Sequence, residues 1–439
     1  MVIKIEYDLS VDMYLPTQNS ENIFPHGEKI GNGSFGEVIF AIDRRTQEQR
    51  VIKQVKMKMR GGNIPSSHHL KDVLREVEIS KRMKHPRIVK LKSVYMVQDT
   101  TTTRSLVKYV CLIMDYCGDS LKNVVDNEYQ TYQTGDKRSE WLLDFVGIVV
   151  HDVAYGLKYL NKCGVYHRDL THRNVCVEKI NDIYRAKIVD FGYARGKPDN
   201  SRNITHGIST AAYKSPENLL GAKYKDQNDV WSLGCIFGFL VSSKNIFIKE
   251  GKTVIEGISD LIGMPPQAFL DKISLQQKEE PTRISKEFDV LEKRTKVTKK
   301  AAERFLGMPS VGIDNGTRGI ERLLSNYCGV PEKDDAVALL KYMLKWDYDE
   351  RIDVQGILES RFIKFVLDAH PELSEESYNE EDCEHIRAEL GEVERNTNNV
   401  VKNDTLSDSD KRERMGGLLK KAIEEQFGYV EEWNDHYEY

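Results

Sequence analysis

Apolar and polar positions alternate with a period of two over residues 37–43 and again over 49–57, where Val51 and Val55 share one face. Residues 28–31 lead into a glycine-rich turn ahead of them, so 27–58 predicts three strands. A loop follows over 59–68, marked by Gly61, Gly62 and Pro65. The period then lengthens. Leu70, Val73, Leu74, Val77 and Met83 fall on one broad side of a helix over 69–84. Strand-like runs at 88–96 and 106–114 come next, then a helix over 141–163 carried by Trp141, Phe145, Ile148, Val149, Val153 and Leu157. The pattern is a small β-rich part followed by a large helical part. Residues 1–26 carry no strong period, and 264–335 is the least regular stretch. Past Phe365 the chain turns acidic and polar. Residues 371–410 predict weak order, and 411–428 predicts a short helix with Leu418, Leu419, Ile423 and Phe427 on one face.

At 439 residues the chain has room for one large two-lobed domain or two to three ordinary ones, and 40% apolar residues suffice for a sizeable core. A net charge of −5 points to neither nucleic acid nor an anionic membrane. That average hides a split. Residues 371–439 hold 20 acidic and 8 basic side chains, a net of −12, which leaves +7 on residues 1–370. A mildly basic body suits phosphate handling and equally suits an ordinary solvated surface. Lys293-Arg294, Lys296 and Lys299-Lys300 can be read as a docking surface or a nuclear-import signal, and more simply as a solvated helix face. The seven cysteines are odd in number and contain no C-x-x-C pair, so neither a disulfide frame nor a zinc site is expected. They suit a reducing interior, cytoplasmic or nuclear. Glu6 and Asp8 with no apolar segment predict no signal peptide, and no run approaches the ~18 apolar residues of a membrane helix.

The chemistry concentrates in a few short motifs. His167-Arg168-Asp169-Leu170-Thr171-His172-Arg173-Asn174 fits H-R-D-L-x-x-x-N. An Asp in this place accepts the proton of an attacking hydroxyl, and the Asn holds a metal ion over nucleotide phosphates. Gly31-Asn32-Gly33-Ser34-Phe35-Gly36-Glu37-Val38 fits G-x-G-x-x-G-x-V. Its glycines let backbone N–H groups approach phosphate oxygens. The same spacing opens dinucleotide-binding folds, but there a helix follows; here strand patterns lie on both sides, so the turn is a hairpin. Lys53 on the third strand is placed to hold the α- and β-phosphates, with Glu76 on the next helix as its anionic partner. Asp190-Phe191-Gly192 closes the strand-like run 186–189, and Asp190 is the expected Mg²⁺ ligand beside Asn174.

Seven motifs in this order make the chain resemble the eukaryotic protein kinase superfamily across 25–366. The resemblance implies an α+β, bilobal fold with a β-rich N-lobe at 25–115 and a helical C-lobe at 116–366. It leaves 1–24 as an N-terminal extension and 367–439 as an acidic, partly disordered tail. It implies a Ser/Thr kinase that uses ATP and Mg²⁺ on protein substrates. The implied nucleotide site is Ile30, Gly31, Gly33, Gly36, Val38, Val51, Lys53, the gatekeeper Met114, the hinge Asp115-Tyr116-Cys117, and Cys176. The implied catalytic set is Asp169, Lys53, Glu76 and Arg173, and the metal ligands are Asn174 and Asp190. Ser215-Pro216-Glu217 is expected to form an ion pair with Arg351, and the helix beginning at Asp229 to support the catalytic loop.

Within the superfamily the chain is most similar to the CMGC group and, inside it, to cyclin-dependent kinases. The resemblance rests on Asp190-Phe191-Gly192-Tyr193-Ala194-Arg195, on Thr205 eleven residues before Pro216, and on Leu261-Ile262-Gly263-Met264-Pro265. It implies an activating phosphate on Thr205 received by Arg75, Arg168 and Arg195. Gly207 excludes a T-x-Y switch. The helix bearing Glu76 lacks the P-S-T-A-I-R-E string, so a cyclin-like or other regulatory subunit stays an open expectation. Lys214 replaces the arginine that favours proline after the phosphorylated residue. Val51 stands where an alanine usually covers the adenine, and Cys176 where a larger aliphatic side chain lies beneath it. The sharpest departure is Thr171, where most Ser/Thr kinases carry lysine, and Arg173 is the expected substitute cation. Arg173 also admits tyrosine or dual specificity, and Thr171 admits a catalytically weak pseudokinase scaffold.

Overall fold

The two alternating runs and the glycine turn become a β-hairpin and its neighbour at the heart of an antiparallel sheet. A computed structural model describes residues 13–14, 29–33, 36–43, 46–56, 66–99, 106–131, 137–197, 211–222, 225–278, 316–325, 330, 332–374 and 378–427. The chain divides into two units, Met1–Cys117 with Asp190–Ala194 and His385–Tyr439, and Gly118–Val189 with Arg195–Glu384.

In the first unit β1 (Met13–Tyr14), β2 (Lys29–Gly33), β3 (Gly36–Asp43), β4 (Gln49–Lys56), β5 (Leu91–Asp99) and β6 (Leu106–Asp115) form one sheet. Its order is β1-β3-β4-β6-β5, with β2 also paired to β3. Gly36 is required where it stands, because a Cβ there would lie 1.7 Å from the Gln54 carbonyl oxygen of β4. The helix α1 (Ser67–Arg82) is capped by the Ser66 side chain, which accepts a bond from the His69 N–H at 3.2 Å. Its predicted stripe Leu70, Val73, Leu74 and Val77 is buried.

That stripe packs on two sides. One is the sheet, through Val55, Leu91, Val94, Val110 and Leu112. The other is the C-terminal segment, through Met415, Leu419, Ala422 and Ile423. The expectation of weak order over 371–410 therefore needs correction. A 3₁₀ turn runs over Pro371–Ser374, and two long helices occupy Glu381–Val401 and Asp408–Phe427. The composition is too polar for a self-contained core, but Cys383, Ile386, Leu390 and Thr397 recur at helical spacing and are buried. Of the expected apolar face over 411–428, Leu419 and Ile423 are buried against α1 with Leu418 packed beside them, while the Phe427 side chain lies outside the described residues.

The second unit is mainly helical. After β7 (Asp119–Ser120) come α2 (Leu121–Thr131) and α3 (Lys137–Lys162), then β8 (Val165–Tyr166), β9 (Val175–Ile180), β10 (Ile183–Ile188) and β11 (Arg195–Gly196). They are followed by α4 (Pro216–Leu219), α5 (Asp226–Ser242), α6 (Val254–Ile262), α7 (Gln267–Lys278), α8 (Gly316–Leu323), α9 (Lys333–Met343), α10 (Val354–Leu358) and α11 (Arg361–Ala369). The two tail helices complete the series as α12 (Glu381–Val401) and α13 (Asp408–Phe427). Buried almost throughout, α5 anchors this unit. Its Trp231 stacks on Phe247 with ring centroids 5.4 Å apart. The Arg351 guanidinium lies over Trp231 and binds both Glu217 carboxylate oxygens, at 2.8 and 3.0 Å. No helix among the described residues is long and apolar enough to cross a membrane. Among them no cysteines are joined in a disulfide.

Candidate active site

The first unit brings together the residues expected to handle phosphate. Val51 and Lys53 lie two apart on β4 and so share a face. Val38 stands across from Lys53, and Met114 across from Val51. The Lys53 ammonium is 2% exposed. It donates to Asp190 Oδ1 at 2.8 Å and to the Glu76 carboxylate. Burial alone opposes its charge, but Asp190 and Glu76 outweigh burial and hold its pKa above the ordinary lysine value. Burial pushes Glu76 the other way, upward, with Lys53 opposing. A cation facing two carboxylates keeps its proton, so the ammonium is the fixed charge of the cluster. Asp190 reaches it from a left-handed backbone (φ 65°) and also accepts the Gly192 N–H at 3.1 Å.

The remaining predicted nucleotide contacts of this unit are placed as follows. Gly33 pairs with Gly36 across the hairpin, and Ile30 is exposed. Asp115 is tied down by its side chain, which accepts from Arg50 at 2.8 Å, while its N–H goes to the Lys90 carbonyl. Cys117 is buried. The loop tip Ser34-Phe35 lies outside the described residues.

The second unit assembles the catalytic loop. Asp229 at the start of α5 accepts the N–H groups of His167 and Arg168, both at 3.0 Å. Arg168 adopts φ 71° there, a strained value for a side-chain-bearing residue. His167 is fully buried, and its Nε2 sits 3.1 Å from the Val189 carbonyl oxygen. The Asn174 amide donates to the Asp169 carbonyl at 2.8 Å and to its Oδ2 at 3.1 Å. These two bonds tie the Asn174 side chain to Asp169. The Asn174 amide oxygen in this unit and the Asp190 carboxylate in the other are each the kind of hard donor that Mg²⁺ takes. Cys176 is half-buried on β9.

Thr171 serves the loop backbone. Its hydroxyl accepts the Arg173 N–H at 3.2 Å, and its carbonyl accepts the Asn174 N–H at 2.9 Å. Arg173 is exposed, and its charge is felt at His172 and Tyr213. Lys214, only 6% exposed, is a side chain on which the charge of Asp169 acts. Burial lowers its pKa to about 8, with Asp169 opposing and Arg168 reinforcing the fall. The sequence reading treated Lys214 only as a substrate-loop substitution and missed this placement. Equally missed was the clamp of Tyr213 on His172, whose rings stack at 5.3 Å and whose hydroxyl and Nδ1 share a hydrogen bond.

Of the expected phosphate-receiving arginines, Arg195 pairs through its backbone with Tyr166, and Arg168 is buried in the catalytic loop. Arg75 is already met by carboxylates. Its Nε and Nη2 donate to Glu394 of α12 at 3.0 and 3.2 Å, and its Nη1 to Asp72 at 2.8 Å. Thr205, Gly207 and the basic cluster at 293–300 lie outside the described residues.

A family model described as "Protein kinase domain" matches residues 24–363, and the chain belongs to that family. The stress-activated protein kinase JNK of Suberites domuncula is 29% identical over 250 residues, which are 56% of this chain and 62% of that protein. Mitogen-activated protein kinase p38a of Drosophila melanogaster is 28% identical over 257 residues, 58% of this chain and 64% of that one. The chain thus spans less than two thirds of the length of either relative. Both relatives bear mitogen-activated or stress-activated kinase names, and neither is a cyclin-dependent kinase.

Proposed function

We propose that the chain is an active Ser/Thr protein kinase. The observation that carries this reading is Lys53, buried and bonded to both Glu76 and Asp190. The first unit handles the triphosphate through Lys53, and the second handles the acceptor through Asp169. A Ser or Thr hydroxyl oxygen attacks the γ-phosphorus, the bond from that phosphorus to the β-phosphate bridging oxygen breaks, and ADP leaves with the bond's electron pair. The hydroxyl proton passes to Asp169. Asp169 is prepared for this by Asn174, which holds its carboxylate in one orientation. Mg²⁺, when bound, neutralises charge on the triphosphate, and Asp190 and Asn174 are the residues that fit it.

The names of the two relatives support the CMGC group, while the segment after Asp190 supports the narrower likeness to cyclin-dependent kinases. We take activation by phosphate on Thr205 as part of the reading, with Arg168 and Arg195 as its receivers. Arg75 joins them only by giving up Glu394. The apolar stripe of α1 is covered by α13 of the same chain, which argues against a cyclin-like subunit on that face. Arg173 keeps tyrosine or dual specificity as the second enzyme reading, and Thr171 keeps a weak scaffold as the third.

Phosphate transfer from ATP to a mixed Ser, Thr and Tyr peptide library, set against Asp169→Asn, tests the proposal. Labelled Ser or Thr, with loss in Asp169→Asn, is the expected result. Equal rates in the two proteins overturn it in favour of the scaffold.

A further inference from the structure

We propose that Lys214 is the positioning cation of Asp169, supplying from the substrate loop the positive charge that the catalytic loop lacks at Thr171. The inference rests on the kinase reading above and concerns how that reaction works in this chain.

Three residues compete for the role, and the structure separates them. Thr171 has no charge to give, and its hydroxyl is engaged with the Arg173 N–H. Arg173 is exposed, so water screens its guanidinium. Lys214 is buried, and so is Asp169, each 6% exposed. Both line one water-sized cavity with Arg168, Leu170, Asn218 and Asn228. A buried ammonium is tolerated only where opposite charge and hydrogen bonds meet it. Among the described residues, Asp169 favours the proton of Lys214 and Arg168 disfavours it.

The backbone around Lys214 is fixed from both sides. The Lys214 N–H donates to the Ala211 carbonyl at 3.2 Å. The preceding Tyr213 is held by His172 of the catalytic loop, and its carbonyl accepts Ser232 Oγ of α5 at 2.8 Å. The following Ser215 accepts a bond from Asn228 of the same helix. Lys214 is therefore presented to Asp169 by the same helix that shapes the catalytic loop through Asp229. A cation held in place beside the base keeps its carboxylate ionised and oriented, and needs no rearrangement as charge develops.

Burial and Arg168 bring Lys214 down to about 8, which gives the test a signature that simple packing lacks. The groups facing it are Asp169 and Arg168 of the catalytic loop and Tyr213 of its own segment, with neutral Asn218, Asn228 and Ser232 completing the cavity wall. Tyr213 is pushed well above its ordinary pKa by burial, so it stays neutral through the range.

The experiment compares the full-length enzyme with Lys214→Met, Lys214→Arg, Arg173→Met and the double variant Thr171→Lys/Lys214→Met, by steady-state kinetics against pH. Lys214→Met is expected to lose on the order of 10²-fold in kcat with little change in KM for ATP. The double variant regains most of it, because a lysine again stands two after the Asp. Lys214→Arg keeps activity and moves the alkaline limb of the profile to higher pH, and Arg173→Met loses far less than Lys214→Met. NMR titration of the Lys214 ammonium adds a readout independent of turnover, with a pKa that drops in Asp169→Asn.

An active wild type with Lys214→Met equally fast, no rescue by Thr171→Lys, or an unshifted titration in Asp169→Asn overturns the inference alone. A wild type no faster than Asp169→Asn overturns the kinase reading, and this inference falls with it.

Discussion

Replacing Glu394 by Gln should loosen the hold of the C-terminal segment on α1, and the structure sets the size of the effect. Glu394 accepts from Arg75 at 3.0 Å and from Lys71 at 2.8 Å. Burial would raise its pKa, yet Arg75 and Lys71 bring it down from 4.5 to about 2. Lys71 itself is lowered by burial, with Arg75 adding to the fall, so the depression belongs chiefly to the bidentate Arg75 contact. At about 1.36 kcal/mol per pH unit, the full value is ~3.4 kcal/mol. The Glu394 side chain is 34% exposed, and screening by solvent leaves about 1–2 kcal/mol.

The sign follows from the depressed value. The folded protein holds fewer protons than the unfolded chain at this site between about 2 and 4.5. The stabilisation is complete above 4.5 and is lost as pH falls through that window. Urea unfolding of wild type and Glu394→Gln at a series of pH values reads it directly. The expected gap is about 1–2 kcal/mol near neutrality, closing towards about pH 2. Glu76 follows Arg75 on α1, so amide exchange in α1 should quicken in the variant. A gap under about 0.3 kcal/mol near neutrality, or one that stays constant down to about pH 2, refutes the reasoning.

Leu419→Ala empties a fully buried position between α13 and α1 and should cost about 2–5 kcal/mol by urea unfolding; a cost under about 1 kcal/mol would mean that α13 does not pack there. Arg351→Met strands the Glu217 carboxylate in a site 1% exposed and should cost about 3–5 kcal/mol. The double variant Glu217→Met/Arg351→Met should recover part of that, and strictly additive losses would refute the pairing. Burial, aided by Arg173 and Lys122, lowers His172 to about 4. The unfolded chain takes up a proton near 6.5 while the folded protein stays neutral, so stability falls as pH drops from 6.5 towards 4. His172→Gln should flatten that slope, and equal slopes would refute the assignment.

The elements nearest the chemistry were legible because each carries a local signal. The two-residue period over β3 and β4 and the helical stripe of α1 are written in residue type and spacing, while the pairing of Glu217 with Arg351 came from the family resemblance, and the structure places all three accordingly. The tail was not legible as ordered, for a physical reason. Its helices are stabilised by α1, more than 300 positions away in sequence for the Lys71–Asn398 and Arg75–Glu394 contacts, and composition reports only local tendency. Ile386 and Leu390, four apart in a polar stretch, were the available hint. Lys214 escaped notice for a related reason. The role proposed for it rests on sharing a buried cavity with Asp169, and no motif spacing encodes that.

The charge arrangement around Lys53 also bears on whether the chain works as an enzyme. A scaffold that only needs the fold gains nothing from an ammonium and two carboxylates gathered in one buried place. Such a cluster is expensive, because removing each ion from water costs several kcal/mol and well-packed apolar side chains of similar volume are often as stabilising or more so. In this chain Lys53 is 2% exposed, Glu76 4% and Asp190 13%. Asp190 adds a left-handed backbone to that cost, and Arg168 of the catalytic loop does the same in the other unit. Strain and buried charge fall on the residues assigned to phosphate and hydroxyl chemistry, while the departures from the family pattern fall at Thr171 and Lys214, where one position gives up a cation and the other keeps one, as lysine in place of arginine. If Lys214 takes over the part of the missing cation, as proposed, Thr171→Lys alone should leave the rate of transfer within about threefold of wild type, where an impaired loop would gain on the order of 10²-fold.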